Sequence, residues 1–155
     1  MPGKTLVYTA QSKQYFYCRD AVCEYVFRHG DCIPINPFRV FDYFLGDRVE
    51  RDAIRAANQE VLSRCDEVWV FGEQLADGVL MEIAQARTEE KTIRYFTISN
   101  QADEIREIED LDRLRLERDV PEVAGLDESE VLAQMRQGRF SDLATVLGRP
   151  LRVTA

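Results

Sequence analysis

The chain has 155 residues, of which 45% are hydrophobic and 31% charged, with a formal net charge of −8. That is enough apolar material for one domain with its own core. The acidic balance argues against wholesale binding of nucleic-acid backbone, which needs clustered Lys and Arg. It leaves room for a small ligand held by two or three well-placed donors.

The opening "MPGKTLVYTAQ" lacks the apolar segment of a signal peptide, and no run approaches bilayer length. A cytoplasmic protein with no membrane partner is therefore expected. "TLVYTA", Thr5–Ala10, is the first predicted buried strand. Lys13 to His29 then carries Tyr17, Ala21, Tyr25 and Arg28 at helical spacing, with Gly30 as its stop. For Tyr15, Phe16 and Tyr17 in its first turns, core packing is favoured over ligand stacking. "DCIPIN", Asp31–Asn36, is a shorter strand whose Pro34 places it near an edge or a strand end. The aromatic cluster Phe38, Phe41, Tyr43 and Phe44 reads equally as core beneath a long loop or as a stacking wall for a planar base.

Arg48 to Cys65 predicts a second helix, with Ala53, Ala57, Val61 and Cys65 on its apolar stripe and Asp47 as its cap. "DEVWVFG", Asp66–Gly72, is the strongest strand, and "TIRYFTI", Thr92–Ile98, is the last. Between them Val79 to Glu89 forms a helix that starts at Gly78. This alternation predicts an α/β, three-layer, flavodoxin- or Rossmann-like parallel sheet of about four or five strands. Past Ser99 the composition turns acidic and poor in aromatics. "NQADEIREIEDLDRLRLE" reads as a charged amphipathic helix, with Ile105, Ile108, Leu111 and Leu114 at spacings of three, and two shorter helices follow. The domain is thus assigned to residues 1–99, and residues 100–155 to an acidic helical extension packing on it or on a partner subunit.

Four cysteines without an export signal point to reduced thiols, and with His29 the only histidine no metal site is expected. Neither G-x-G-x-x-G nor G-x-x-x-x-G-K-[ST] is present, and no G-x-S-x-G elbow. In an open parallel sheet the ligand crevice lies beyond the carboxyl ends of the strands. Three loops reach that edge: "AQSKQ", "NPFRVFDYFLGD" and "GEQLADG". Glu82 stands out near the last. It sits at the border of the apolar face of a helix, close to its start, as a half-buried carboxylate suited to act as nucleophile or base. The bland explanation is a partner for the helix dipole.

The run "CDEVWVFG", a short loop, then "DGVLMEIAQARTEEKTIRYF" resembles the nucleoside 2-deoxyribosyltransferase-like family, with Asp66, Gly78, Glu82, Ala86 and Lys91 at matching places. "LVYTAQS" resembles that family's first strand and ligand loop through Tyr8 and Ser12, and "IPINPFRVF" its second strand and following loop. The resemblance covers roughly residues 5–98 and implies N-glycosidic bond chemistry on a nucleoside or nucleotide. It assigns Glu82 as the nucleophile, with Tyr8 and Asp77 beside it as catalytic residues. It makes Ser12, Gln11, Asn36, Phe38, Asn58 and Gly78 ligand-binding residues, with no cofactor. Three departures go with it. Asn58 stands where the family carries an acid for the leaving base, Ala76 where it often carries a phosphate-binding Ser, and Gln11 where nucleotide hydrolases have a small Gly. An Asn cannot act as a general acid at neutral pH, so the alternative is a non-catalytic nucleoside-binding or sensor module of the same fold. A homo-oligomer is expected, since the family often completes its sites between subunits.

Overall fold

A computed structural model describes residues 3–41, 45, 48–117, 129, 132 and 133. Its elements in chain order are β1 (Thr5–Gln11), α1 (Arg19–Phe27), β2 (Cys32–Ile35), α2 (Pro37–Val40), α3 (Arg51–Ser63), β3 (Glu67–Phe71), β4 (Gln74–Leu75), α4 (Asp77–Thr88), β5 (Thr92–Phe96) and β6 (Arg115–Leu116). Four strands form one parallel sheet in the order β2-β1-β3-β5, and β4 and β6 pair as a small second sheet. The predicted three-layer α/β architecture is the one observed.

The two faces follow from the period-2 alternation of the strands. Val7, Trp69, Phe71 and Phe96 turn toward α1, where Ala21, Val22 and Val26 are buried. Tyr8, Ala10, Val68, Val70 and Tyr95 turn the other way, against Leu62 of α3 and Val79, Leu80, Ile83 and Ala86 of α4. Pro34 pairs opposite Val7 on the edge strand β2, where a missing N–H costs no central ladder bond. Two polar side chains fasten the lower end of the sheet. Asp66 accepts the Leu6 N–H at 2.8 Å. Lys91 reaches the Ser63 and Cys65 carbonyls at 3.0 and 2.6 Å, where the end of α3 leaves carbonyls unpaired.

Several expectations are corrected. The helix expected over Lys13–His29 divides into a 3₁₀ segment, Lys13–Cys18, and α1. Its kink lies at Tyr15 (φ −100°, ψ 16°), whose carbonyl accepts from the Gln11 side chain. Tertiary bonding to the end of β1 thus overrides the helical period there. Tyr17, expected to pack inward, is 86% exposed. The stripe of α3 holds at its lower end, where Cys65 is buried and Val61 packs on the core, but Ala53 faces solvent and Leu62 is the residue of the helix that is fully buried. The helix starts at Arg51 with Glu50 at its cap position. Asp47, Tyr43 and Phe44 lie outside the described residues.

The largest correction concerns the stretch after Ser99. It is no amphipathic α-helix over residues 100–117 but two single 3₁₀ turns, Ala102–Glu104 and Leu111–Arg113, joined by extended chain and ending in β6. The apolar spacing of three was real: Ile105, Ile108 and Leu114 are all buried. Their burial runs along the open side of β5 instead of along a helix. The Ile108 N–H donates to the Tyr95 carbonyl at 2.7 Å and the Thr97 N–H to the Arg106 carbonyl at 2.8 Å. The segment thereby covers a sheet edge whose unpaired groups would otherwise lie bare. Residues 102–117 therefore belong to the domain's own core. The two later predicted helices fall almost wholly outside the described residues.

Gly72 closes β3 with φ +105°, and a Cβ there would stand 2.6 Å from Cε2 of Tyr15. Gly72→Ala is expected to cost about 1–3 kcal/mol through backbone strain, read as a fall in the midpoint of urea unfolding with unchanged slope.

Candidate functional site

The chain leaves β1 toward α1 on one face and leaves β3 toward α4 on the other, so the carboxyl ends of β1 and β3 flank the switch point of the sheet. That is where open α/β sheets form their ligand crevices. The α4 helix runs antiparallel to the strands, and its first turn therefore lies at the same edge. Gly78 in that turn faces open space: apart from its chain neighbours and the backbone of its own helix, no heavy atom of the described residues lies within 4 Å of where a Cβ would be.

One turn further down α4, the Glu82 carboxylate accepts a hydrogen bond from the Tyr8 hydroxyl. Tyr8 is fully buried in the middle of β1, and Glu82 is half-buried. Burial pushes the Glu82 carboxyl from 4.5 up to about 7, against the opposing effect of the Tyr8 hydrogen bond. The Tyr8 hydroxyl is itself driven well above its ordinary range, first by burial and then by the Glu82 charge. The pair is thus a carboxyl poised to gain or lose its proton near neutrality, oriented by a phenol that stays protonated. Tyr8→Phe removes a hydrogen bond to a charged group, worth about 1.5–3 kcal/mol. The expected result is a Glu82 carboxyl that titrates above its present value of about 7, read by carbon NMR of the side-chain carboxyl.

Asn58 and Glu82 occupy corresponding levels of two helices that run side by side. The Gln85 amide of α4 donates to the Gln59 carbonyl and the Ser63 hydroxyl of α3, at 2.8 and 2.9 Å. Glu82 is one turn above Gln85, and Asn58 is one turn above the buried Leu62 on the core-facing side of α3. The Oδ1 atom of Asn58 is buried with no hydrogen-bond partner among the described residues. A buried acceptor left unpaired is costly, and a ligand N–H is the kind of group that satisfies it.

The other predicted site residues fall into two sets. Gln11 and Asn36 are buried and tie the loops together: Asn36 Nδ2 donates to Gln11 Oε1 at 2.8 Å, and Asn36 Oδ1 accepts the Phe38 N–H at 3.0 Å. The Phe38 ring packs edge-on against Phe16, with centroids 5.4 Å apart. Ser12 is buried at the end of β1 and donates its hydroxyl to Glu117. Asp77 accepts the Gly78 N–H at 2.7 Å in the first turn of α4. It sits five positions before Glu82, about 140° around the helix from it, so the two carboxylates do not share a face.

Glu117 is the site residue that sequence reasoning missed. The apolar spacing after Ser99 places it at the end of a helix, whereas the pairing of β6 with β4 carries it back to β1. A groove of about 430 Å³ elsewhere, between α1, β2 and α2, is lined by Asp20, Glu24, Phe27 and Arg39 among others. Of the predicted site residues only Asn36 reaches it, and its one arginine is paired with Asp20. The Tyr8–Glu82 pair therefore carries more chemistry than the groove does.

A family model described as a domain of unknown function, DUF7768, matches residues 8–96, more than half of the chain. The chain belongs to the DUF7768 family. Tyr8, Ser12, Asn58, Gly78 and Glu82 all lie inside the DUF7768 match, whereas Glu117 lies beyond its end. The match also stops short of Ile105, Ile108 and Leu114, which complete the core. No curated protein matches the chain. Among the described residues, no helix is long and apolar enough to cross a membrane.

Proposed function

We propose that this protein breaks or transfers an N-glycosidic bond of a nucleoside or nucleotide, with Glu82 as the nucleophile. The observation that carries the reading is the Tyr8–Glu82 pair: a half-buried carboxyl held by a buried phenol donor, one helical turn from the open space at Gly78. An ionised Glu82 attacks the anomeric carbon as the bond to the base breaks. The electron pair of that bond leaves with the base, and a glycosyl ester forms on the Glu82 oxygen. Water or a second base then displaces the ester and releases Glu82. Covalent capture splits one difficult displacement of an oxocarbenium-like centre into two easier ones. Tyr8 holds the attacking oxygen and stabilises its charge. The sequence resemblance to nucleoside 2-deoxyribosyltransferases supports the same assignment.

Asn58 favours a second reading. It stands where the resemblance calls for an acid, and its unpaired acceptor suits recognition of a base N–H. On that reading the protein binds a nucleoside without turning it over. A cytoplasmic homo-oligomer belongs to both readings. Tyr17, Phe27 and Val40, exposed by 86%, 60% and 43%, offer apolar surface to a second copy, and light scattering of the purified chain measures its mass.

The deciding experiment incubates the full chain with a panel of ribonucleosides, deoxyribonucleosides and their 5′-monophosphates and follows free base by chromatography. Base release by the wild type, absent in Glu82→Ala, is the expected result. Saturable nucleoside binding with no release across the panel establishes the binding module instead.

A further inference from the structure

Ser12 follows β1 at the carboxyl edge of the sheet, with extended backbone (φ −66°, ψ 150°). By alternation its side chain lies on the same face as those of Tyr8 and Ala10. Ser12 is one of the ligand-binding residues that the resemblance implies, and its hydroxyl is buried. Here the donor already has an occupant. Glu117 accepts from the Ser12 hydroxyl and also from Gln14 Nε2, the latter at 2.6 Å.

The carboxylate is not there by chance of a long side chain. Its own backbone N–H donates to the Leu75 carbonyl at 2.9 Å, and Arg115 N–H to the Glu73 carbonyl at 2.8 Å. Arg113 adds an ion pair to Glu73 at 2.8 Å. Leu116, the neighbour of Glu117, is buried in the core cluster with Leu75 and Leu114. The loop before α4 and the segment after the sheet are therefore clamped together, and the clamp fixes a negative charge on the end of β1.

We propose that Glu117 is a specificity-determining residue that sets the charge of the ligand: it accepts a hydrogen bond from a neutral hydroxyl terminus and rejects a phosphorylated one. The assignment rests on Glu82 marking where the anomeric carbon lies. Like charges brought together at a binding surface cost several kcal/mol, and a phosphate entering at Ser12 meets a carboxylate that already holds the local donors. A primary hydroxyl meets an acceptor instead and competes only with Ser12 and Gln14. Asp77, in the first turn of α4 at the same edge, adds charge of the same sign.

The test uses the full chain and two independent readouts. The first compares kcat/KM for base release from 2′-deoxynucleosides and from their 5′-monophosphates. Wild type is expected to favour the nucleoside, and Glu117→Gln to narrow that preference by at least roughly tenfold, mainly by raising the monophosphate value. Glu109→Gln, the same charge change on an exposed side chain, leaves the ratio unaltered. The second readout needs no turnover: inorganic phosphate raises the melting temperature of Glu117→Gln but not of wild type or Glu109→Gln. A wild type that handles monophosphates as well as nucleosides overturns the proposal. So does a Glu117→Gln protein whose ratio and phosphate response match wild type. Absence of base release from every substrate, with the phosphate response still confined to Glu117→Gln, removes the catalytic role of Glu82 and leaves the charge filter standing.

Discussion

Glu82→Gln is expected to abolish base release and to make the protein more stable, two effects of one buried carboxyl. Loss of the nucleophile removes the covalent route, so the rate falls by at least roughly a thousandfold. The stability change follows from proton linkage. The Glu82 carboxyl titrates at 4.5 without its surroundings and at about 7 within them. Between these values the folded state holds a proton that the unfolded chain has released, so folding is progressively penalised as pH rises. The penalty is absent below 4.5, grows up to about 7 and is complete above it. Its full size is about 3 kcal/mol, from about 1.4 kcal/mol per pKa unit. Gln keeps an acceptor for the Tyr8 hydroxyl without the charge. At pH 8 its melting temperature should exceed that of wild type by roughly 6–12 °C, and at pH 4 the two should coincide. Equal melting temperatures at pH 8 would mean that Glu82 ionises without cost, and would remove the physical reason for singling it out. A stabilising substitution that destroys activity is the behaviour of a functional group kept at the expense of the fold.

Ile108→Ala and Leu114→Ala are each expected to destabilise the protein by about 2–5 kcal/mol, the range for removing a buried branched side chain. Ile108 is 3% exposed and Leu114 fully buried, both within the cluster that holds Tyr8, Val79 and Ile83. Exposed Glu109→Ala between them should change stability by less than about 0.5 kcal/mol. Urea unfolding of the three variants measures the contrast. Were the segment an appendage, all three would behave like Glu109→Ala.

The sheet was legible because burial on both faces leaves unmistakable runs such as "EVWVF", and because Gly30 and Pro34 punctuate the chain in ways that local sterics make readable. Glu82 was legible for a related reason: a carboxylate bordering the Val79–Ala86 stripe contradicts its surroundings, and the contradiction shows in one dimension. The helix expected after Ser99 failed because a spacing of three in Ile105, Ile108 and Leu114 suits a helix face and successive turns of extended chain alike. The bare edge of β5, absent from any local window, chose between them. The burial of Leu62 beside the predicted Val61 and Cys65 has the same origin, since α3 meets the sheet and α4 on that side.

Sequence alone determined the order of the four main strands and the helices between them, the chain's acidic character and the one carboxylate out of keeping with its helix. These are properties of neighbours a few residues apart, set by propensity, periodicity and capping. The tertiary structure decided what surrounds that carboxylate. Tyr8 and Glu82 are 74 residues apart and Ser12 and Glu117 are 105 apart, and no periodicity spans such distances. Only the packing of α4 on β1, and of β6 beside β4, brings those residues together as a phenol–carboxyl pair and a carboxylate clamped at the end of β1.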